Sequence, residues 1–174
     1  MSQYDPIRTL LNRKGETIIL DKSQLAGGDV FIKECEDCVI YLCGSMGALR
    51  IEELKGCVVM TGPICGGMLI EGVVDCKFHI AAHQLRVHHT TQSDFYVRMR
   101  STPIIEDCSG LRFAPCVLAY PGIEEEFETA DMSEVACADL WSKVQDFKWL
   151  KVQQSPHWSI MPESERVAPV PPSK

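Results

Sequence analysis

Aromatic residues are scarce in this 174-residue chain, at 7%. A core with so few large rings must be filled by small aliphatic side chains and by groups of similar size. Positive charge is also short. Lys and Arg number 17 against 24 Asp and Glu, a formal net charge of −7. Such a chain repels phosphate backbones, which excludes sequence-independent binding of nucleic acid. No apolar run approaches the roughly 20 residues that a membrane helix needs, so membrane insertion is not expected. Residues Met1–Pro6 carry no basic end followed by an apolar stretch, so no secretory signal is read there. The chain opens Met-Ser rather than Met-Gly, so N-myristoylation is not expected. Neither a GxxxxGK[ST] loop nor a GxSxG elbow occurs. The chain is therefore not expected to bind nucleotide by a P-loop or to carry a nucleophile elbow.

What is present is ordinary in amount and unusual in arrangement. Apolar residues make up 45% and charged residues 24%, which suits one soluble domain able to bury its own core. Nine cysteines stand at 35, 38, 43, 57, 65, 76, 108, 116 and 137. The odd count, with no secretory signal, predicts reduced thiols in a cytoplasmic protein.

Three stretches repeat. Glu-Asp-Cys38-Val-Ile-Tyr-Leu, Lys-Gly-Cys57-Val-Val-Met-Thr and Val-Asp-Cys76-Lys-Phe-His-Ile begin equivalent units, with the cysteines nineteen residues apart. The closing tetrads Ala48–Ile51 and Gly67–Ile70 keep that spacing, and Gln84–Val87 comes two residues early. A weaker unit follows through Phe95–Arg100 and Pro103–Cys108. Short β-branched runs at a constant period, punctuated by Gly and Asp, predict the coils of a parallel β-helix. Each coil would supply its neighbour's core, with Cys38, Cys57 and Cys76 as one interior ladder. Strand alternation puts Leu49, Ile51, Met68, Ile70, Leu85 and Val87 inside. It puts Arg50, Leu69, Gln84, Arg86 and His88 outside. Glycines 44, 47, 62, 66 and 67 read as coil corners.

Residues 7–20 read as a lead-in that caps the first coil, and residues 139–150 as a short helix or an extended strap that closes the last. Residues 121–139 are acidic, with seven Asp and Glu and no Lys or Arg. The expected organisation is one domain over 1–165 and a disordered tail over 166–174.

Cys35-Glu-Asp-Cys38 is a CxxC, but zinc needs a second ligand pair at suitable spacing and none follows, so these cysteines read as structural. His88 and His89 point to opposite faces of a strand and cannot easily share an ion. No metal site is expected. The segment from Lys77 to Arg100 holds Lys77, Arg86, Arg98 and Arg100 against the single acid Asp94. That strip is either a solvated face or an anion site on rigid strands. Within it, a guanidinium at Arg86 on a stiff outward strand suits reaching into a partner's phosphates. An offset of twenty residues to the next coil would set Glu106 over Arg86.

These residues carry a resemblance. Ala-His-Gln-Leu-Arg86-Val resembles the Gln-Gln-Leu-Arg signature of the tubulin-binding cofactor C domain family. Thr-Pro-Ile-Ile-Glu106-Asp-Cys, Gln-Asp-Phe147-Lys-Trp-Leu and Ser-Pro-His-Trp158-Ser-Ile-Met-Pro-Glu resemble later segments of the same family, in the same order. The similarity runs from about residue 10 to 165. It implies a right-handed parallel β-helix, mainly β, with a C-terminal strap. It also implies activation of GTP hydrolysis by β-tubulin during tubulin folding, together with cofactors D and E. The alternatives are activation of an Arf-like small GTPase, as in the retinitis pigmentosa relative, or a non-catalytic cytoskeletal scaffold. By the match Arg86 is the arginine finger, Gln84 contacts the nucleotide site, and Glu106 and Phe147 serve the GTPase interface. Nucleotide and metal belong to the GTPase, so this chain needs no cofactor of its own. The expected location is the cytoplasm, with a cytoskeletal, centrosomal or basal-body pool possible in the family. His83 departs from the pattern, standing where the family has its first signature glutamine.

Overall fold

A computed structural model describes residues 8–117 and 120–169. Its strands are β1 Thr9–Leu11, β2 Thr17–Leu20, β3 Val30–Lys33, β4 Val39–Leu42, β5 Leu49–Glu52 and β6 Val58–Glu71. They continue as β7 Lys77–His88, β8 Asp94–Met99, β9 Ile104–Glu106, β10 Leu111–Pro115, β11 Gln145–Asp146 and β12 Trp158–Ile160. Three short helices are α1 Lys22–Leu25, α2 Ile123–Thr129 and α3 Glu134–Cys137.

Every pairing between these strands is parallel, and they form two walls. One wall stacks Thr9, Phe31, Arg50, Leu69, Arg86, Ile104 and Gln145 from successive coils. The other stacks Thr17, Val39, Val58, Lys77, Asp94, Arg112 and Ser159. The long strands β6 and β7 belong to both walls. This is the β-helix that the repeat predicts.

One corner joins the walls six times. Each copy places two residues in the left-handed region three positions apart: Asn12 and Gly15, Glu34 and Asp37, Glu53 and Gly56, Gly72 and Asp75, His89 and Gln92, Asp107 and Gly110. The inward residues at these corners are Cys35, Leu54, Val73, Thr90 and Cys108 on one row and Cys38, Cys57, Cys76 and Ser93 on the next. Sγ or Oγ of Cys38, Cys57, Cys76, Thr90, Ser93 and Cys108 donates to the carbonyl two residues earlier. The second row therefore asks for a small side chain, apolar enough for the lumen, with one weak donor, whereas Leu54 and Val73 fill the first row without one. Cysteine meets all three demands, and burial pushes the Cys35 and Cys108 thiols up, so they stay protonated. Further along, Phe78, Phe95 and Phe113 stack at 5.0 and 5.1 Å, and Trp158 meets Phe113 edge-on at 6.0 Å. The few aromatic rings are concentrated where the stack closes.

Both ends differ from the simplest expectation. Residues 8–20 are more than a lead-in. They form a complete first coil, offset by 22 residues from the second (Thr9 to Phe31) because α1 is inserted between β2 and β3. The closing segment is both helical and extended. A 3-10 turn over Leu140–Ser142 precedes β11, and Leu140, Trp141 and Val144 pack on the core. The expected tail begins within described chain, where Arg166 Nε donates to the Met161 carbonyl and Val167 N to Tyr96 Oη. Residues 170–174 of that tail lie outside the described residues.

The acidic segment folds as α2 and α3 against the β-helix. Ile123, Phe127, Ala130, Met132 and Cys137 bury there against Ala81. Arg98 and Arg100 hold it in place. Arg98 lies 4.0 Å over the Phe127 ring and donates to the Met132 carbonyl at 2.9 Å. Arg100 reaches the Asp131 carbonyl and carboxylate at 3.0 and 3.1 Å. The basic strip is thus not one anion site. Two of its arginines are spent on the chain's own acidic segment.

Candidate partner-binding site

Arg86 lies near the C-terminal end of β7, between Leu69 of β6 and Ile104 of β9. Leu85 and Val87 beside it are 1% and 0% exposed, which anchors the strand on both sides of the guanidinium. Its side chain is exposed, as alternation predicts. Among the described residues it has no carboxylate within 4.0 Å and no hydrogen-bond acceptor. Arg50 on the same wall and Arg112 on the other differ. Arg50 grips Glu52 at 2.6 Å, and Arg112 forks onto Asp94 with two bonds of 2.9 Å. Arg86 instead has a ring beside it, with the Phe147 centroid 6.0 Å from the guanidinium carbon. Phe147 arrives there because β11 pairs with β9 and the Phe147 amide bonds the Ile105 carbonyl at 3.0 Å.

Gln84 is two residues earlier on the same outward face, level with Gly67. Together with Arg86 it borders a cleft of about 620 Å³ on the same wall, whose lining includes Phe31, Ala48, Arg50 and Leu69. Gly67 opens the floor of this cleft. A Cβ there would meet nothing within 4 Å. The other candidate corner glycines, 44, 47, 62 and 66, are crowded by backbone or side-chain atoms within 3.0 Å. Gly67 is therefore part of a surface and not of a tight corner.

Glu106 does not lie over Arg86. The offset here is 18 residues, so Ile104 is level with Arg86 and Glu106 with His88. The left-handed corner keeps its length in every coil, whereas the opposite edge is shorter in the later coils and sets the offset. Glu106 lies 3.8 Å from His88 Nε2 and 3.5 Å from Lys148 Nζ. It belongs to the rim beside Phe147, one row from the arginine.

His83 turns away from this face. Its Nε2–H donates to the Ala130 carbonyl at the end of α2, and its own carbonyl accepts from Ser101 Oγ at 2.6 Å. At this position the chain fastens its acidic segment. Among the described residues no cluster of three His, Cys, Asp or Glu could hold a metal ion. Asp146 stands in no motif that marks it. Its carboxylate, 4% exposed, accepts from Ser155 Oγ at 2.8 Å and His157 Nδ1 at 2.6 Å and braces the loop after Phe147.

Fold and site together define a parallel β-helix domain with an outward arginine that no carboxylate pairs among the described residues, flanked by an amide and an aromatic ring on one wall. Comparison with known proteins makes the family specific. The sequence profile described as "Tubulin binding cofactor C" matches residues 27–147, and the chain belongs to that family. A tubulin-folding cofactor C of Arabidopsis thaliana is 44% identical over 159 residues, covering 91% of this chain and 46% of that protein. A tubulin-specific chaperone C of Mus musculus is 38% identical over 139 residues, covering 79% of this chain and 40% of that protein. The chain thus spans less than half the length of these curated relatives. A solved structure of tubulin binding cofactor C from Leishmania major matches with a TM-score of 0.58 at 27% identity, over 97% of this chain and 98% of that one.

Proposed function

We propose that this chain activates GTP hydrolysis by β-tubulin in tubulin folding, acting with cofactors D and E and supplying Arg86 as an arginine finger. The observation that carries this reading is the unpaired Arg86 guanidinium on an anchored strand, beside Gln84 and Phe147. The relatives' names, which speak of tubulin, support the choice of partner.

The chemistry is phosphoryl transfer, in which charge develops on the phosphoryl oxygens as the bond to the leaving group lengthens. An arginine inserted in trans stabilises that charge and is worth about 10³–10⁵ in rate. An arginine already paired with a carboxylate would deliver less, because the pair must first be broken. Gln84 lies two residues from Arg86 and reaches the same nucleotide edge. Glu106 and Phe147 form the adjoining rim of the interface. The nucleotide and its metal stay with the GTPase. The reaction takes place in the cytoplasm, where tubulin is folded.

The test is single-turnover GTP hydrolysis by tubulin with cofactors D and E, with and without this chain. Stimulation that disappears in Arg86→Ala is the expected result. Stimulation of an Arf-like GTPase but not of tubulin would move the same chemistry to another partner. Absence of stimulation of either would leave the wall as a docking scaffold and end the reading.

A further inference from the structure

We propose that the loop over residues 148–153 is a second docking point for the GTPase partner, a raised apolar tip that seats in an apolar cleft of that protein next to its nucleotide site. This rests on the arginine-finger reading and extends it to a new surface.

The loop reads Lys148-Trp-Leu-Lys-Val-Gln153, with apolar and basic residues interleaved. Leu150 is 92% exposed and Val152 105%, and Phe147 just before them is 47% exposed. Apolar residues scattered singly over a surface need no explanation. Here three lie within six residues, at the edge of the candidate site.

The exposure is held by structure. Asp146 closes the base of the loop with its bonds to Ser155 and His157. Trp149 N donates to the Asp146 carbonyl at 3.1 Å, and Trp149 Nε1 to the Gln153 carbonyl at 2.7 Å. The His157 ring meets the indole edge-on at 5.7 Å, and Lys151 Nζ lies 5.1 Å from it. Lys148 anchors the near side on Asp107 at 2.6 Å. With Trp149 turned back into this brace, Leu150 and Val152 point away and cannot fold onto the β-helix. A rigid tip loses little conformational freedom on binding, which favours it as an anchor.

Position identifies the occupant. The Phe147 ring centroid lies 6.0 Å from the Arg86 guanidinium carbon, and Leu150 is three residues on, no more than about 10 Å of extended chain. A body that admits Arg86 to its phosphates must therefore face the tip as well. Lys151 adds positive charge at the tip, which suits an acidic rim around the receiving cleft. A membrane surface fits less well. Lipid recognition takes clusters of 4–8 basic residues, whereas this loop has two, one of them held by Asp107.

The experiment titrates wild type, Arg86→Ala and the double variant Leu150→Ser/Val152→Ser into the single-turnover assay. Both tip side chains lie in solvent, so the thermal midpoint of the double variant should match wild type. The double variant should recover the wild-type maximal rate only at about tenfold higher concentration, the mark of lost binding common to ground and transition states. Arg86→Ala should lose the maximal rate itself. If wild type activates and the double variant saturates at the same concentration, the tip does not dock and the inference fails while the finger stands. If wild type activates nothing, both fall. Should the double variant unfold, Leu150→Gln alone, expected to need severalfold more protein, decides in the same way. Flotation with phosphatidylserine vesicles is the second arm. Binding there that the double variant loses, with activation unchanged, would assign the tip to a membrane and overturn the proposal.

Discussion

The Arg86 guanidinium carbon and the Phe147 ring centroid stand 6.0 Å apart, although one residue comes from β7 and the other from the strap after β11. At an exposed site a cation–π contact is worth about 0.5–1 kcal/mol. That is little for stability and enough to bias where a long side chain points. Phe147→Ala should therefore leave urea unfolding within about 1 kcal/mol of wild type and lower activation efficiency by about 3- to 10-fold. A loss confined to stability would deny Phe147 a place at the interface.

His83 fastens the acidic segment through the Ala130 carbonyl. Removing the donor from a half-buried contact costs about 1 kcal/mol. His83→Ala should lower stability by that amount and raise hydrogen exchange in α2. His83→Gln, which still carries a donor, should regain most of it. Equal stability of the alanine and wild-type proteins would remove this role.

Two glycines separate packing from surface. A Cβ on Gly62 would meet the Gly44 carbonyl oxygen at 2.5 Å, and a Cβ on Gly67 would meet nothing. Gly62→Ala should cost about 1–3 kcal/mol through overpacking. Gly67→Ala should be neutral or stabilising by about 0.5 kcal/mol, because glycine in a strand costs entropy. Thermal unfolding of the two variants checks the pair.

His79 is 4% exposed and stacks on Tyr96 at 4.4 Å, and its Nδ1 has no hydrogen-bond partner among the described residues. Burial, with a smaller contribution from the Lys77 charge, lowers its pKa from 6.5 to about 4. Between those values the unfolded chain takes up a proton that the folded chain refuses. The His79 contribution is therefore whole above pH 6.5 and is lost as pH falls toward 4, by about 3 kcal/mol. Denaturation at pH 7 and pH 4.5 should show a larger drop for wild type than for His79→Phe, which keeps the stack without the titration. Identical drops would contradict it.

Much of this was legible in the sequence because a β-helix repeats its physics every coil. Cys38, Cys57 and Cys76 mark one corner row, and the alternation around Leu49, Met68 and Leu85 assigns the faces. What repetition does not encode was missed. The edge that shortens in the later coils shows in sequence only as the early Gln84–Val87 tetrad, which does not set the next offset, so Glu106 lies one row from its expected place. Arg98 and Arg100 bond residues more than thirty positions away, and such pairs have no period. Asp146, Ser155 and His157 meet only once the strap has docked, so each reads as an ordinary polar residue in sequence.

The most direct measurement compares the maximal single-turnover rate of GTP hydrolysis by tubulin, with cofactors D and E, at saturating wild type, Arg86→Lys and Arg86→Ala. Lysine keeps the charge but loses the planar fork that spans two phosphoryl oxygens. Arg86→Ala should fall by at least about 10³ and Arg86→Lys should recover only a small part of it, with all three proteins unfolding at the same temperature. An Arg86→Ala protein that drives hydrolysis as fast as wild type would contradict the arginine-finger reading.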